Sequence, residues 1–239
     1  MPVTVEVIDS LVTAGDLEQI FNYFDQIDRR FSTYKFDSEM SRMNRGEIKP
    51  ADISALMKNM LELSEQTKNQ TNGYFDIKKP DGTSDPSGLV KGWAIYNAAE
   101  ILKKAGFKNY FIEAGGDVQV SGSNGQGKSW RVGIKNPFDQ KQILKVVFLK
   151  SEGIATSGTY IRGQHIYNPH DIGQDIADII SLTVIGPNIY EADRFATAAF
   201  AMGKEGIVFI EKLPGFEGYM IDNNKIATMT SGFEEYANA

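Results

Sequence analysis

Residues 85–122 read DPSGLVKGWAIYNAAEILKKAGFKNYFIEAGGDVQVSG, and this run carries a loop, a helix, a strand, a glycine corner and a second strand. Asp85-Pro86-Ser87-Gly88 is small and polar, a composition that lets backbone come close to a ligand. Lys91-Gly92 opens the helix: Ala94, Ile95, Ala98, Ile101, Leu102 and Ala105 recur at helical spacing, and Gly106 stands where a C-terminal glycine belongs. Tyr110-Phe111-Ile112 reads as a buried strand. Gly115-Gly116-Asp117 interrupts it, so the backbone turns or approaches a neighbour there, with a carboxylate alongside. The run is compatible with a plain β-α-β scaffold and equally with a ligand site built on loops at strand ends.

The rest of the chain sets the bounds. Its 239 residues suit one large domain or two small ones, with length for a full core. A net charge of −6 argues against a nucleic-acid partner, which asks for a basic face. There is no cysteine, which excludes disulfides, thiolate metal sites and cysteine nucleophiles. No apolar run is long enough to span a membrane and no signal segment is visible. The compartment stays open between cytoplasm and the mature part of an exported protein. No long linker divides the chain, so residues 1–239 are expected to form one domain.

On the N-terminal side, Val3, Val5 and Val7 alternate as a strand, and Leu17, Ile20, Phe21, Phe24, Ile27 and Phe31 give a helix stripe over residues 16–30. Residues 31–44 are polar, aromatic and rich in capping residues, an exposed loop with a short capped turn. Ile53, Leu56, Met57, Met60 and Leu61 suggest a second helix with Asp52 as its N-cap, ended by Thr71-Asn72-Gly73. On the C-terminal side, strands are expected at 130–134, 143–149, 153–158 and 181–185. A compact helix covers 192–202, and a hairpin at 216–229 closes the chain. Helices and strands mix without a strict β-α-β period, which favours an α+β class.

Gly122-Ser123-Asn124-Gly125-Gln126-Gly127-Lys128-Ser129 matches the phosphate-loop pattern G-x-x-x-x-G-K-[ST]. That chemistry needs a helix directly after the loop, so that amides and helix N-terminus point at phosphate. Trp130-Arg131-Val132-Gly133-Ile134 has a strand period instead, so the match reads as a glycine-rich hairpin. Gly115-Gly116-Asp117 resembles a cyclic-dinucleotide synthase signature, but Val118-Gln119 follow where an acid and a phenylalanine belong, and a turn is preferred. Asp193 and Thr197 stand at i and i+4, which puts a carboxylate and a hydroxyl on one helix face, a pair suited to Mg²⁺. The plainer reading of Asp193 is a solvated acid in a first helical turn. His165 and His170 are the only histidines; His165 is a candidate general base, and His170 reads as a surface residue.

Taken together these stretches resemble the FAD:protein FMN transferase family (the ApbE family, formerly thiamine-biosynthesis lipoproteins). The segments that carry the likeness are FSTYKFDSEMSRMN at 31–44, NGYFDI at 72–77, DPSGLVKG at 85–92, EAGGDVQVSG at 113–122, ATSGTY at 155–160, HIYNP at 165–169 and EADRFATAAFAMG at 191–203. Each is short, but seven in order span nearly the whole chain. Departures are Met1-Pro2-Val3 in place of Met-Gly-Thr, Glu113 where Asn is common, Asn168 for Asp, and Asp171-Ile172-Gly173 for Thr-Gly.

The resemblance implies an α+β fold, a single ApbE-like (T-fold-related) domain with mixed or antiparallel sheets and packed helices. It implies Mg²⁺-dependent transfer of FMN from FAD to a threonine of a partner flavoprotein subunit, with AMP released. It assigns FAD contacts to Tyr34, Tyr74, Phe75, Asp76, Asp85 and Lys91, with Gly115, Gly116 and Asp117 from the central signature. It assigns Mg²⁺ to the Gly88 carbonyl, Asp193 and Thr197, and catalysis to His165. Two other readings fit the same residues: a module that binds FAD without transfer, and an FAD pyrophosphatase that yields FMN and AMP.

Overall fold

The structure is a computed structural model, and it describes residues 1–159 and 166–237. The chain opens with strand β1 (Val3–Val7) and helices α1 (Ala14–Phe31), α2 (Glu39–Asn44) and α3 (Ala55–Gln70), then α4 (Ser87–Lys104). Five strands follow: β2 (Tyr110–Ala114), β3 (Asp117–Ser121), β4 (Trp130–Asn136), β5 (Asp139–Leu149) and β6 (Gly153–Gly158). The last third holds β7 (Ile179–Gly186), α5 (Ile189–Ala201), α6 (Glu205–Glu211), β8 (Glu217–Asp222), β9 (Ala227–Met229) and α7 (Phe233–Ala237).

Seven strands form one sheet in the order β1-β2-β3-β6-β7-β8-β9, and β4-β5 form a separate ribbon. Every strand pair among the described residues is antiparallel. The architecture is therefore α+β with antiparallel sheets, as expected. The large sheet is covered on both faces. On one, Ile95, Ala98 and Leu102 of α4 and Ala196, Ala199 and Phe200 of α5 pack on Ile112, Ala114, Leu182 and Val184. On the other, Trp130, Ile134, Val147 and Leu149 of the ribbon meet Val118, Val120, Ile154 and Ile185. A third cluster joins α1, α2, α3 and α4 through Phe31, Met40, Met57, Met60, Leu89 and Trp93. Each such side chain contributes about 1.5–3 kcal/mol by leaving water.

β3 is the strand on which these layers meet. Val118 and Val120 point at the ribbon, while Asp117 and Gln119 are buried on the helix side, 1% and 5% exposed. Gln119 accepts a hydrogen bond from the Ile189 N–H, the first residue of α5, at 2.8 Å. Its amide nitrogen donates to the Ser151 carbonyl at 2.9 Å. A polar residue inside the core thus fixes where α5 begins.

Several expectations are corrected. α4 begins at Ser87, so Lys91-Gly92 lie in its second turn rather than at its opening. α3 is capped by Ser54, whose hydroxyl accepts from the Met57 N–H, and Asp52 belongs to a short 3-10 turn before it. α5 starts at Ile189 behind an Asn188 cap, so Asp193 sits inside the helix and is buried, not a solvated acid of the first turn. Residues 122–129 are not a hairpin: they connect β3 in the large sheet to β4 in the ribbon. The short helices α6 and α7 carry too few periodic residues to be read from sequence.

Candidate active site

α4 and α5 run antiparallel and touch through a matched pair of small and polar positions, each pair one turn apart. A Cβ at Gly92 would lie 2.5 Å from the Asp193 Cβ and 2.7 Å from the Ile189 carbonyl oxygen. A Cβ at Gly88 would lie 2.9 Å from the Thr197 Cγ2. Only glycine at both positions lets the helices approach this closely. The Asp193 Oδ2 accepts from the Gly92 N–H at 2.7 Å, and the Thr197 hydroxyl donates to the Gly88 carbonyl at 3.3 Å. Gly88, Asp193 and Thr197 are thereby brought together by the packing of the helices themselves.

Lys91 stands beside this seam. Its Nζ lies 2.6 Å from the Asp117 Oδ2 and 3.7 Å from the Asp193 Oδ1. The other oxygen of Asp117 accepts from the Thr156 N–H at 3.2 Å. Asp117 follows the turn Gly115-Gly116, whose φ values of +62° and +96° suit glycine in a two-residue hairpin connection. That turn delivers the carboxylate to the buried face of β3.

A cleft of about 310 Å³ opens over the seam. One wall is the segment Tyr74–Lys79 with Asp85, Ser87 and Gly88; opposite stand Thr156, Ser157, Gly158 and Tyr167; Met1 and Pro2 close one end near Gly115. Two of its carboxylates carry their own lysine: Asp76 pairs with Lys68 at 2.7 Å and Asp85 with Lys79 at 2.9 Å. Burial pulls Asp85 up, but the Lys79 ammonium and the Ser87 N–H outweigh it and hold its carboxyl below the ordinary range.

Of the residues assigned by sequence, Tyr74, Phe75, Asp76, Asp85, Gly88, Lys91, Gly115, Asp193 and Thr197 line this cleft. Asp117 lies behind Lys91, and Gly116 is at the exposed outer side of its turn. Tyr34 is not brought there: it is 93% exposed in the connection before α2. His165 lies outside the described residues. His170 is exposed, as expected of a surface residue, with its Nε2 2.9 Å from the Asn72 carbonyl oxygen and its ring edge-on against Tyr74 at 4.5 Å. Lys79 and Tyr167 were not singled out from sequence. Lys79 sits in a Pro-Asp-Gly turn that reads as solvent-exposed, and only the folded hairpin turns it toward the cleft.

The donor set of the seam would suit a hard divalent ion. Its donors are all oxygens: one carboxylate, one hydroxyl and one backbone carbonyl, a small set of the sort Mg²⁺ accepts alongside water and phosphate oxygens. The charge balance points the same way. Asp117 and Asp193 are 1% and 3% exposed, and among the described residues one lysine, Lys91, is paired with both. Burial pushes the Asp193 carboxyl up to about 7, with Asp117 adding to the rise and Lys91 and the Gly92 N–H opposing it. A buried carboxylate in excess is stabilised either by a proton or by a cation.

The model of the ApbE family matches residues 1–79 and 77–220. A protein of Klebsiella pneumoniae (strain 342) named FAD:protein FMN transferase is 27% identical over 82% of this chain and 74% of its own length. One of the same name from Escherichia coli (strain K12) is 26% identical over 90% of this chain and 78% of its own. The solved flavin transferase ApbE from Vibrio cholerae superposes with a TM-score of 0.84 at 22% identity, covering 98% of this chain and 95% of that one. The solved apbe protein from Thermotoga maritima gives 0.86 at 20% identity, again over 98% and 95%.

Proposed function

The chain belongs to the ApbE family, and from that premise we propose that it is a Mg²⁺-dependent FAD:protein FMN transferase acting on a threonine of a partner flavoprotein subunit. FAD is the substrate. The observation that carries the reading is the oxygen-lined seam of Gly88, Asp193 and Thr197 at the floor of an open cleft. Mg²⁺ held there would neutralise charge on the pyrophosphate oxygens of FAD.

The chain's own residues have distinct tasks in this reading. Asp85 and Asp76 offer carboxylate acceptors along the wall that faces the flavin nucleotide, each in an ion pair with its own lysine. Lys91 holds Asp117 and shields Asp193, so that the floor keeps one net negative charge for the cation. The threonine oxygen of the partner forms a bond to the flavin-side phosphorus. The phosphoanhydride P–O bond breaks, and AMP leaves with the electron pair. The threonine proton passes to a base, the role that the resemblance assigns to His165. This is phosphoryl transfer, in which positioning and charge neutralisation supply most of the acceleration. We take residues 1–239 to act as one domain.

The test is incubation with FAD, Mg²⁺ and flavin-carrying subunits of redox complexes, read by in-gel flavin fluorescence and by mass. The expected result is one FMN added to the partner at a single threonine, equimolar AMP, and no FMN on the chain itself. The chain's own threonine beside the cleft, Thr159 in Ser157-Gly158-Thr159, directly follows β6 in the cleft wall and is not presented as a free segment. Free FMN with no protein-bound flavin would make the chain a pyrophosphatase, and intact FAD throughout would make it a binding module.

A further inference from the structure

The stretch at residues 31–44 has no direct place in the cleft, although it is the earliest of the segments shared with the family. Tyr34 points to solvent. The last residue of the stretch, Asn44, does something different. Its side-chain Nδ2 donates to the Ser84 carbonyl at 2.9 Å, and its Oδ1 accepts from the Ser84 N–H at 2.8 Å. A primary amide making both bonds to one residue stands where a peptide group of a third strand would.

Ser84 belongs to a small hairpin that forms the cleft wall. Lys78 and Ser84 are bridged, the Asp85 N–H donates to the Ile77 carbonyl at 2.7 Å, and the Lys79 N–H to the Thr83 carbonyl at 2.8 Å. The turn is held by the Asp81 carboxylate, which accepts from the Thr83 N–H at 2.9 Å. Its inward residues Ile77, Lys79 and Asp85 line the cleft. An isolated two-stranded hairpin of this length is marginal in water. Its geometry depends on what grips it from outside.

Asn44 is well placed to grip. α2 is short but fastened at its start: the Glu39 Oε2 accepts from the Arg30 Nη1 of α1 and the Ser54 hydroxyl, both at 2.8 Å, and the Oε1 accepts from the N–H of Ser54, the residue whose hydroxyl caps α3. Ser38 caps α2 and also donates to the Ser32 carbonyl. Met40 is buried at 1% exposure in the cluster shared with Leu89 and Trp93 of α4. A rigid helix anchored to three others thus ends in an amide that fixes the register of the cleft wall.

We infer that Asn44 is a positioning residue: it sets the 77–85 hairpin so that Asp85 and Lys79 face the flavin nucleotide. The inference takes its ligand from the transfer reading above. The Gly88–Asp193–Thr197 floor is held by the α4–α5 contact, without Asn44, so the effect should fall on FAD binding and spare the chemical step.

Asn44→Ala should raise the KM and Kd for FAD about tenfold, the size expected for losing two hydrogen bonds that hold a binding wall, with kcat at saturating FAD within about twofold. Thr13→Ala, which removes the N-cap of α1 away from the cleft, should lower Tm and leave the KM for FAD unchanged. Amide hydrogen exchange at Lys79 and Ser84 is read on the same proteins without any ligand, and should accelerate in Asn44→Ala alone. If Asn44→Ala exchanges at the wild-type rate, or binds FAD as wild type does, the inference is overturned. Failure of the wild-type chain to bind FAD would sink the transfer reading instead, and the exchange rates would still decide the role of Asn44.

Discussion

Two glycine-rich turns flank β3, one at each end, and they invite opposite conclusions. Gly122–Ser129 follows the phosphate-loop pattern throughout, yet it bridges two sheets and is followed by β4. Gly115-Gly116 matches no nucleotide signature to completion, yet it places Asp117 against Lys91 under the cleft. The difference lies in what comes next along the chain. A phosphate loop works because its amides and the N-terminus of the next helix converge on one anion. Here the Asn124 side chain takes the amides of Gln126 and Lys128 for itself, at 2.9 and 3.1 Å, so these donors are already satisfied. At the other end of β3, the turn only has to reverse the chain tightly, and two glycines with positive φ do that.

The contrast breaks most sharply at the acidic floor. Asp193→Ala should abolish Mg²⁺-dependent transfer, lowering turnover by on the order of a hundredfold or more while the chain stays folded, because Lys91 and Asp117 remain a neutral pair. Turnover measured across a Mg²⁺ titration decides it, and wild-type rates would move the site elsewhere. Lys91→Met should instead act on stability. It leaves Asp117 and Asp193 buried together without their cation, a loss of about 3–5 kcal/mol by analogy with broken buried pairs. Chemical denaturation with Mg²⁺ removed measures this directly.

How far these roles could be read in advance depends on the range of the interaction. Asp193 and Thr197 were visible because i and i+4 on one helix is a local relation. Gly88 read as part of a loop that can bring backbone close to a ligand and took its cation role only from the family likeness, and Gly92 read only as part of a helix opening. Their common purpose, two glycines facing an acid and a hydroxyl on another helix, lies about a hundred residues away along the chain and has no local signature. The strands β1, β2, β6 and β7 were legible from alternation and branched residues, whereas the pairing of β3 with β6 past the intervening ribbon was not. Tyr34 shows the reverse case. Its segment matched the family, but its side chain is outside the cleft, and Asn44 at the end of the same segment carries the connection.

A smaller effect sharpens the same comparison through pH. The folded Asp193 carboxyl is raised to about 7, above its unfolded value, so the native state binds more protons than the unfolded state between those two values. Stability from this group is therefore present at acid pH and lost as pH rises toward 7. A bound cation removes the need for the proton. Without Mg²⁺, the Tm of the wild type should fall from pH 5 to pH 8 relative to Asp193→Asn, and saturating Mg²⁺ should raise the wild-type Tm more at pH 8 than at pH 5. Parallel pH profiles for the two proteins would show that Asp193 is not the group being titrated.

The smallest expected effect belongs to the phosphate-loop match. Lys128 is exposed, and no ion pair involves it among the described residues. It sits at the Ser121 end of β3, whereas the cleft lies at the Asp117 end, a full strand away. In a true phosphate loop the lysine reaches the terminal phosphates, and its loss abolishes nucleotide binding. Here Lys128→Ala should change stability by no more than about 0.5 kcal/mol, as for an ordinary surface site. FAD binding and transfer should stay at wild-type levels, and ATP should not compete with FAD through this loop. Equilibrium binding of FAD and ATP to the variant settles the matter. A loss of nucleotide affinity there would mean that the turn after β3, and not the turn before it, is where this chain holds phosphate.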